Sequence, residues 1–171
     1  KTPHLDGLAR NGLLFSSMYN CARCCPTRAA LLTGLYPHKA GIGHMGANLG
    51  TPAYQGHLRN DAATIAELMR LGGYRTLMSG KWHVGGDFWA RLVDTWRVGD
   101  VDRPTPRQRG FDRFYGIIDG ATHFFSPHYV MEDDRRAEVS PTDYYFTDVI
   151  TDKAIAMLEE AKQAFAQVSQ G

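Results

Sequence analysis

Cys21, Cys24 and Cys25 are the only thiols of the chain, and Pro26, Thr27 and Arg28 follow them directly. Thiols crowded in this way serve as ligands of a metal knuckle, as a redox pair, or as a nucleophile held at a helix end. Cys21 and Cys24 with His38 and His44 read C-x2-C-x13-H-x5-H, close to a zinc-finger spacing. A finger carries both histidines on one unbroken helix, and Pro37, Gly41 and Gly43 interrupt that helix. A Cys21–Cys24 redox pair lacks the long helix of a thioredoxin-like βαβ unit directly behind it. A tyrosine-phosphatase-type loop needs an arginine six positions after its cysteine, where Thr27, Ala30 and Leu31 stand instead.

The nucleophile reading agrees with the local physics. "TRAALLTG" after Pro26 reads as a helix with proline in its first turn and Gly34 as its stop. Cys24 then sits at the N-terminal end, where free N–H groups and the helix dipole favour negative charge. Arg28 lies about one turn further on and reaches the same space. A tetrahedral oxyanion, sulfate or phosphate, suits that place. The competing reading of a lone cysteine is a small buried hydrophobe.

Other elements must position these groups. "TPHLDGLARNG" (2–12) reads as a short helix with Pro3 in its first turn, and "LLFSSMYN" (13–20) as a strand leading into the cysteines. The stretch 34–56, rich in Gly and Pro, reads as loop. "NDAATIAELMRLGG" (60–73) is a second helix, with Asp61 or Thr64 as its cap, Glu67 at capping-box spacing and Gly72 as terminator. "YRTLMSGKWHVG" (74–85) follows as a strand on which Lys81 and His83, two apart, point to one face. Residues 85–143 read as mostly irregular. From Tyr144 to Gln167 a helix places Phe146, Val149, Ile150, Met157, Leu158, Ala161 and Phe165 on one core-facing stripe.

A chain of 171 residues suits one α/β domain. A net charge of +1 gives no electrostatic case for nucleic acid or an anionic membrane. The arginines at 103, 107, 109 and 113 read as a solvated loop rather than a binding patch. No apolar run approaches the roughly 20 residues of a membrane span, and the first residues do not read as a secretory leader.

"CCPTRAALLTGLYPHKAGIGHM" resembles the signature of the formylglycine-dependent (type I) sulfatases, C-x-P-[S/T]-R-x4-T-G, with Cys24 at the signature position two residues before Pro26. "TIAELMRLGGYRTLMSGKWHVG" resembles the second signature of that family, and "RGFDRFYG" and "YYFTDVITDKAI" are similar to stretches that follow it in bacterial members. The resemblance implies an alkaline-phosphatase-like fold, helices on a mostly parallel sheet. Residues 1–171 would be the N-terminal portion of the catalytic domain, lacking the first strand and the C-terminal part. It also implies hydrolysis of aryl or carbohydrate sulfates through formylglycine made from Cys24 by a formylglycine-generating enzyme. The hydrated aldehyde of that residue attacks sulfur, and its second hydroxyl lets the hemiacetal collapse and expel sulfate.

By the same resemblance, Arg28 holds the nucleophile and neutralises sulfate, Lys81 bridges the two, and His83 bonds the nucleophile's oxygen. His123 is the candidate general acid near the leaving oxygen, with His128 behind it. The family also implies a divalent cation, normally calcium, to which this chain would offer only the formylglycine oxygen of position 24. Asp87 and Asp119 are the fallback ligands if the cation is held within the chain. The implied location is periplasmic or secreted. Two rivals stand beside this reading: a phosphonate or phosphodiester hydrolase of the same superfamily, and a non-catalytic zinc-binding or structural domain. His4, His38, His44 and His57 are read as structural or exposed.

Overall fold

The computed structural model describes residues 1–86, 97–140 and 142–168. Helix α1 (Pro3–Asn11) opens on proline, with Asp6 in its first turn and Arg10 in its last, as the dipole favours. It buries no residue, and Leu5 and Leu8 stand exposed. Residues 13–20 form no strand, contrary to the sequence reading. Leu13, Leu14, Phe15, Met18 and Tyr19 are all exposed. A strand exists only by pairing, and among the described residues no neighbour offers this segment a ladder.

Helix α2 (Cys24–Thr33) starts where Arg23 is extended and stops at Gly34, whose left-handed φ of 69° lets its N–H reach the Ala30 carbonyl at 2.8 Å. It buries Cys25, Pro26 and Ala29. Helix α3 (Ile65–Leu71) carries the expected capping box: the Glu67 N–H donates to Thr64 Oγ1 at 3.1 Å and the Thr64 N–H to Glu67 Oε2 at 2.7 Å. Asp61 is not the cap; it pairs with Arg59.

The sheet runs β1-β2-β3-β4 and is mixed. β1 (Leu77–Lys81) pairs in parallel with β2 (Arg113–Ile117), β2 antiparallel with β3 (Val130–Glu132), and β3 with β4 (Arg135–Arg136). β2, β3 and β4 all lie in the stretch read as irregular. β2 is covered on both faces, so "RFYGI" lacks the period-two polar alternation that marks a half-buried strand. β1 ends at Lys81, two residues earlier than a strand through His83 requires, and His83 has a φ of 57°.

Helices cover both faces of this sheet. Phe114 and Ile118 join Cys25, Ala29, Ile42, Leu58, Trp82 and Val84 in a core on the α2 side. Tyr115 and Ile117 turn the other way and pack with Val130, Tyr144, Phe146 and Met157. That second core seats α4 (Phe146–Val168), tied to the sheet by the Ser79 hydroxyl on the Ile150 carbonyl at 2.6 Å and by Lys153 on Glu132 at 2.6 Å. The α4 stripe faces the core only in part. Phe146 and Met157 are buried and Val149 and Ile150 half-buried, whereas Leu158 and Phe165 are exposed.

The arginine run is not a solvated loop. Arg109 is 4% exposed and bonded to Glu67, Arg113 pairs with Asp133 and Glu160, and Arg107 pairs with Asp134. These cations fasten the loop before β2 to α3, to the β3–β4 turn and to α4.

Candidate active site

Cys24 occupies the first turn of α2, half-buried, and helps to line a cleft of about 420 Å³. Met45, Gly46, Ala47, His83, Asp119 and Gly120 face the same cleft. β1 delivers Lys81 at its last position, and the left-handed turn at His83 swings the imidazole back toward α2. Lys81 and His83 therefore converge through a backbone turn, not through strand alternation. Arg28 closes the group from α2, its guanidinium donating to the Lys81 carbonyl at 2.5 Å. The Lys81 ammonium donates to the Gly120 carbonyl at 2.5 Å. Gly120 is glycine for a steric reason: a Cβ there would stand 2.4 Å from the His83 ring.

Cys25, fully buried, lies beneath Cys24 with its Sγ 3.3 Å from His83 Nε2. Burial, with Cys24 beside it, pushes the Cys25 thiol up to about 12, so it stays protonated. His83 moves the other way. Burial, then the charges of Lys81 and Arg28, bring it down from 6.5 to about 4, so its ring is neutral near pH 7. Its Nδ1 is buried without a hydrogen-bond partner among the described residues.

This shift couples to stability. Between pH 6.5 and about 4 the unfolded chain takes up a proton that folded His83 refuses, so stability falls as pH drops through that window. The contribution is complete above 6.5 and is of order 1–2 kcal/mol, below the full shift because the ring borders an open cleft. His83→Gln is expected to flatten that part of the unfolding-midpoint profile; profiles of equal slope would refute the assignment.

The four residues Cys24, Arg28, Lys81 and His83 are thus brought together from α2 and the end of β1. His123 is not among the cleft-lining residues. It is exposed in the loop after Gly120, accepting from the Phe125 N–H at 3.2 Å, and His128 is exposed beyond it. Asp119 lines the cleft, and Asp87 lies outside the described residues. The zinc-finger set does not assemble, because the described Cys/His/acid cluster is Cys24, Cys25 and His83, while His38 bonds the Tyr54 hydroxyl at 3.1 Å. All three cysteines are free, so no Cys21–Cys24 disulfide is present. Sequence reasoning missed Cys25, Met45 and Gly120 as parts of the site. The glycine-rich run 41–50 was the available signal for Met45, and nothing local marks Gly120.

With its thiols unconverted, the described cluster is not a calcium site. Hard cations take six to eight oxygen ligands, and the cluster offers two sulfurs and an imidazole. A divalent cation of the kind implied by the resemblance would take from this chain the oxygen of a converted position 24.

The sheet with helices on both faces and the helix N-terminus that presents Cys24 to the cleft are those of an α/β protein of the alkaline-phosphatase-like class. The chain belongs to the sulfatase family, whose model matches residues 1–170. It is 30% identical over 161 residues to an arylsulfatase of Klebsiella aerogenes, covering 86% of this chain and 32% of that protein. It is 39% identical over 117 residues to arylsulfatase A of Homo sapiens, covering 68% of this chain and 20% of that protein. The solved structure of Ps i-CgsB superposes with a TM-score of 0.69 at 27% identity, over 94% of this chain and 36% of that one. BT4656, solved in complex with its substrate D-glucosamine-2-N,6-O-disulfate, gives 0.62 at 29% identity, over 92% and 26%. The chain spans about a third or less of the length of the two arylsulfatases. No helix among the described residues is long and apolar enough to cross a membrane.

Proposed function

We propose that the protein carrying this chain hydrolyses sulfate esters, with position 24 as the nucleophile after conversion to formylglycine. The grouping of Arg28 and Lys81 beside Cys24 and His83, the two of the four that line the cleft, supports this reading above all. Formylglycine would supply a hydrated aldehyde, which releases sulfate without a second attack at sulfur. Arg28 and Lys81 each hold a backbone carbonyl, and these are the bonds they exchange for sulfate oxygens. Neutral His83 orients the nucleophile's oxygen, its ring steadied by the Cys25 thiol. Aryl and carbohydrate sulfates are the substrate classes proposed, in keeping with the names of the relatives. The proposed setting is periplasmic or secreted, with a formylglycine-generating enzyme as the maturation partner.

The test uses the complete protein, co-produced with a formylglycine-generating enzyme. Peptide mass spectrometry is expected to find conversion at Cys24, and an aryl sulfate is expected to turn over faster than an aryl phosphonate or phosphodiester. Conversion at Cys21 or Cys25, or preference for the phosphorus substrates, overturns the proposal.

His123 is proposed as the general acid, acting from the loop at the rim of the cleft. His123→Ala is then expected to slow sulfates with poor leaving groups by about 10²-fold and activated aryl sulfates only slightly. Equal slowing of both removes the role.

A further inference from the structure

We propose that the unconverted thiol form of this site is a binding site for one thiophilic divalent cation of the zinc class, held by Cys24, Cys25 and His83. The proposal does not depend on sulfate hydrolysis or on conversion, because it concerns the thiols as encoded. The three ligand atoms lie within 4.8 Å of one another. A tetrahedral zinc site with Zn–S near 2.3 Å and Zn–N near 2.1 Å has ligand-to-ligand edges of about 3.5–3.8 Å. The Cys25–His83 edge of such a tetrahedron is already close to that length. Cys25 Sγ lies 3.3 Å from His83 Nε2, and Cys24 Sγ lies 3.9 Å from the thioether of Met45. Movements of about an ångström would bring the two Cys24 edges to that length, since every separation in the cluster is within 4.8 Å.

The chemistry of the donors selects the metal. Two thiolates, a neutral imidazole and a neighbouring thioether are soft ligands, suited to zinc-class cations and unsuited to calcium or magnesium. Binding displaces two thiol protons to solvent, so the bound unit is neutral: two thiolate charges balance one dication. That neutrality answers the objection raised by Arg28 and Lys81, whose charges favour the thiolates as much as they oppose a cation. The His83 ring would bind through Nε2, the nitrogen 3.3 Å from the Cys25 sulfur. Met45 and the cleft occupy the fourth side, where a water or a small anion completes the shell. Replacing the Cys24 sulfur by oxygen dismantles the site, so the cation marks the unmatured protein.

The experiment titrates Co²⁺ into the complete protein, produced without conversion and kept reduced. One Co²⁺ per chain is expected, with a sulfur-to-cobalt charge-transfer band that Zn²⁺ abolishes and Ca²⁺ leaves intact. Cys24→Ser, Cys25→Ser and His83→Gln are each expected to weaken binding at least about tenfold, and Cys21→Ser to leave it unchanged. Because buried substitutions can disturb folding, a second measurement uses the unmutated protein. Zn²⁺ is expected to slow alkylation of Cys24 but not of Cys21, read by peptide mass spectrometry. Absence of the band, displacement by Ca²⁺, or protection of Cys21 equal to that of Cys24 overturns the proposal.

Discussion

Replacing Cys24 by alanine in the complete protein is expected to lower kcat for an aryl sulfate by at least about 10⁴-fold, the scale on which loss of a covalent nucleophile acts. KM should move far less, because Arg28 and Lys81 remain to hold the anion. Alanine keeps the helix start, since the cap position is Arg23 and the Cys24 Sγ meets only the Met45 thioether and the neighbouring Cys25 and His83 side chains. A folded Cys24→Ala protein, verified by its unfolding midpoint, therefore isolates chemistry from stability. Residual turnover within tenfold of the unmutated protein would remove Cys24 from the reaction. Cys25→Ala serves as the contrast, because a buried thiol pushed up to about 12 cannot act as the nucleophile.

The second large effect is expected away from the cleft. Arg109→Ala should destabilise the fold by about 2–4 kcal/mol, because the buried guanidinium leaves behind a half-buried carboxylate and two carbonyls. Its guanidinium donates to Glu67 Oε1 at 2.8 Å, to the Arg59 carbonyl at 3.2 Å and to the Ala62 carbonyl. Its own carbonyl accepts from the Thr64 hydroxyl at 2.7 Å. Burial pushes the Glu67 carboxyl up, and the bonds from Arg109 and Thr64 outweigh that, holding it below its ordinary value. Alanine strands two carbonyls and a carboxylate that also belongs to the α3 capping box. Denaturant midpoints measure the loss, and a change under about 1 kcal/mol would show that the network contributes little.

How far the sequence speaks depends on whether a feature is local. The capping box at Thr64 and Glu67, the Gly34 stop and the position of Cys24 on α2 were legible because each is decided within a few residues. Local amphipathic pattern misled at residues 13–20, where apolar side chains suggested a strand that has no neighbour to pair with. β2 escaped notice for the opposite reason, since burial on both faces erases alternation. At the site, Cys24, Arg28, Lys81 and His83 were legible from their motifs, yet the reason given for Lys81 and His83 was wrong. A left-handed residue, which strand periodicity cannot show, brings them together. Cys25 becomes part of the site only through a contact with His83, 58 positions away.

The winding of Cys24–Arg28 into the first turn of α2 sets a clock on the proposed maturation. A modifying enzyme that reads Cys24, Pro26 and Arg28 at alternate positions of an extended chain needs that stretch open. Folding closes it by burying Cys25 and Pro26 and by docking Arg28 on the Lys81 carbonyl, 53 residues later in the chain. At synthesis rates of about 5–20 residues per second, the gap between the emergence of Arg28 and that of Lys81 is about 3–10 s. Through that interval the motif is complete and its anchor does not yet exist. A chain that passes the interval unmodified folds around its thiols, so the yield of active protein becomes a race between an enzyme and a hydrogen bond.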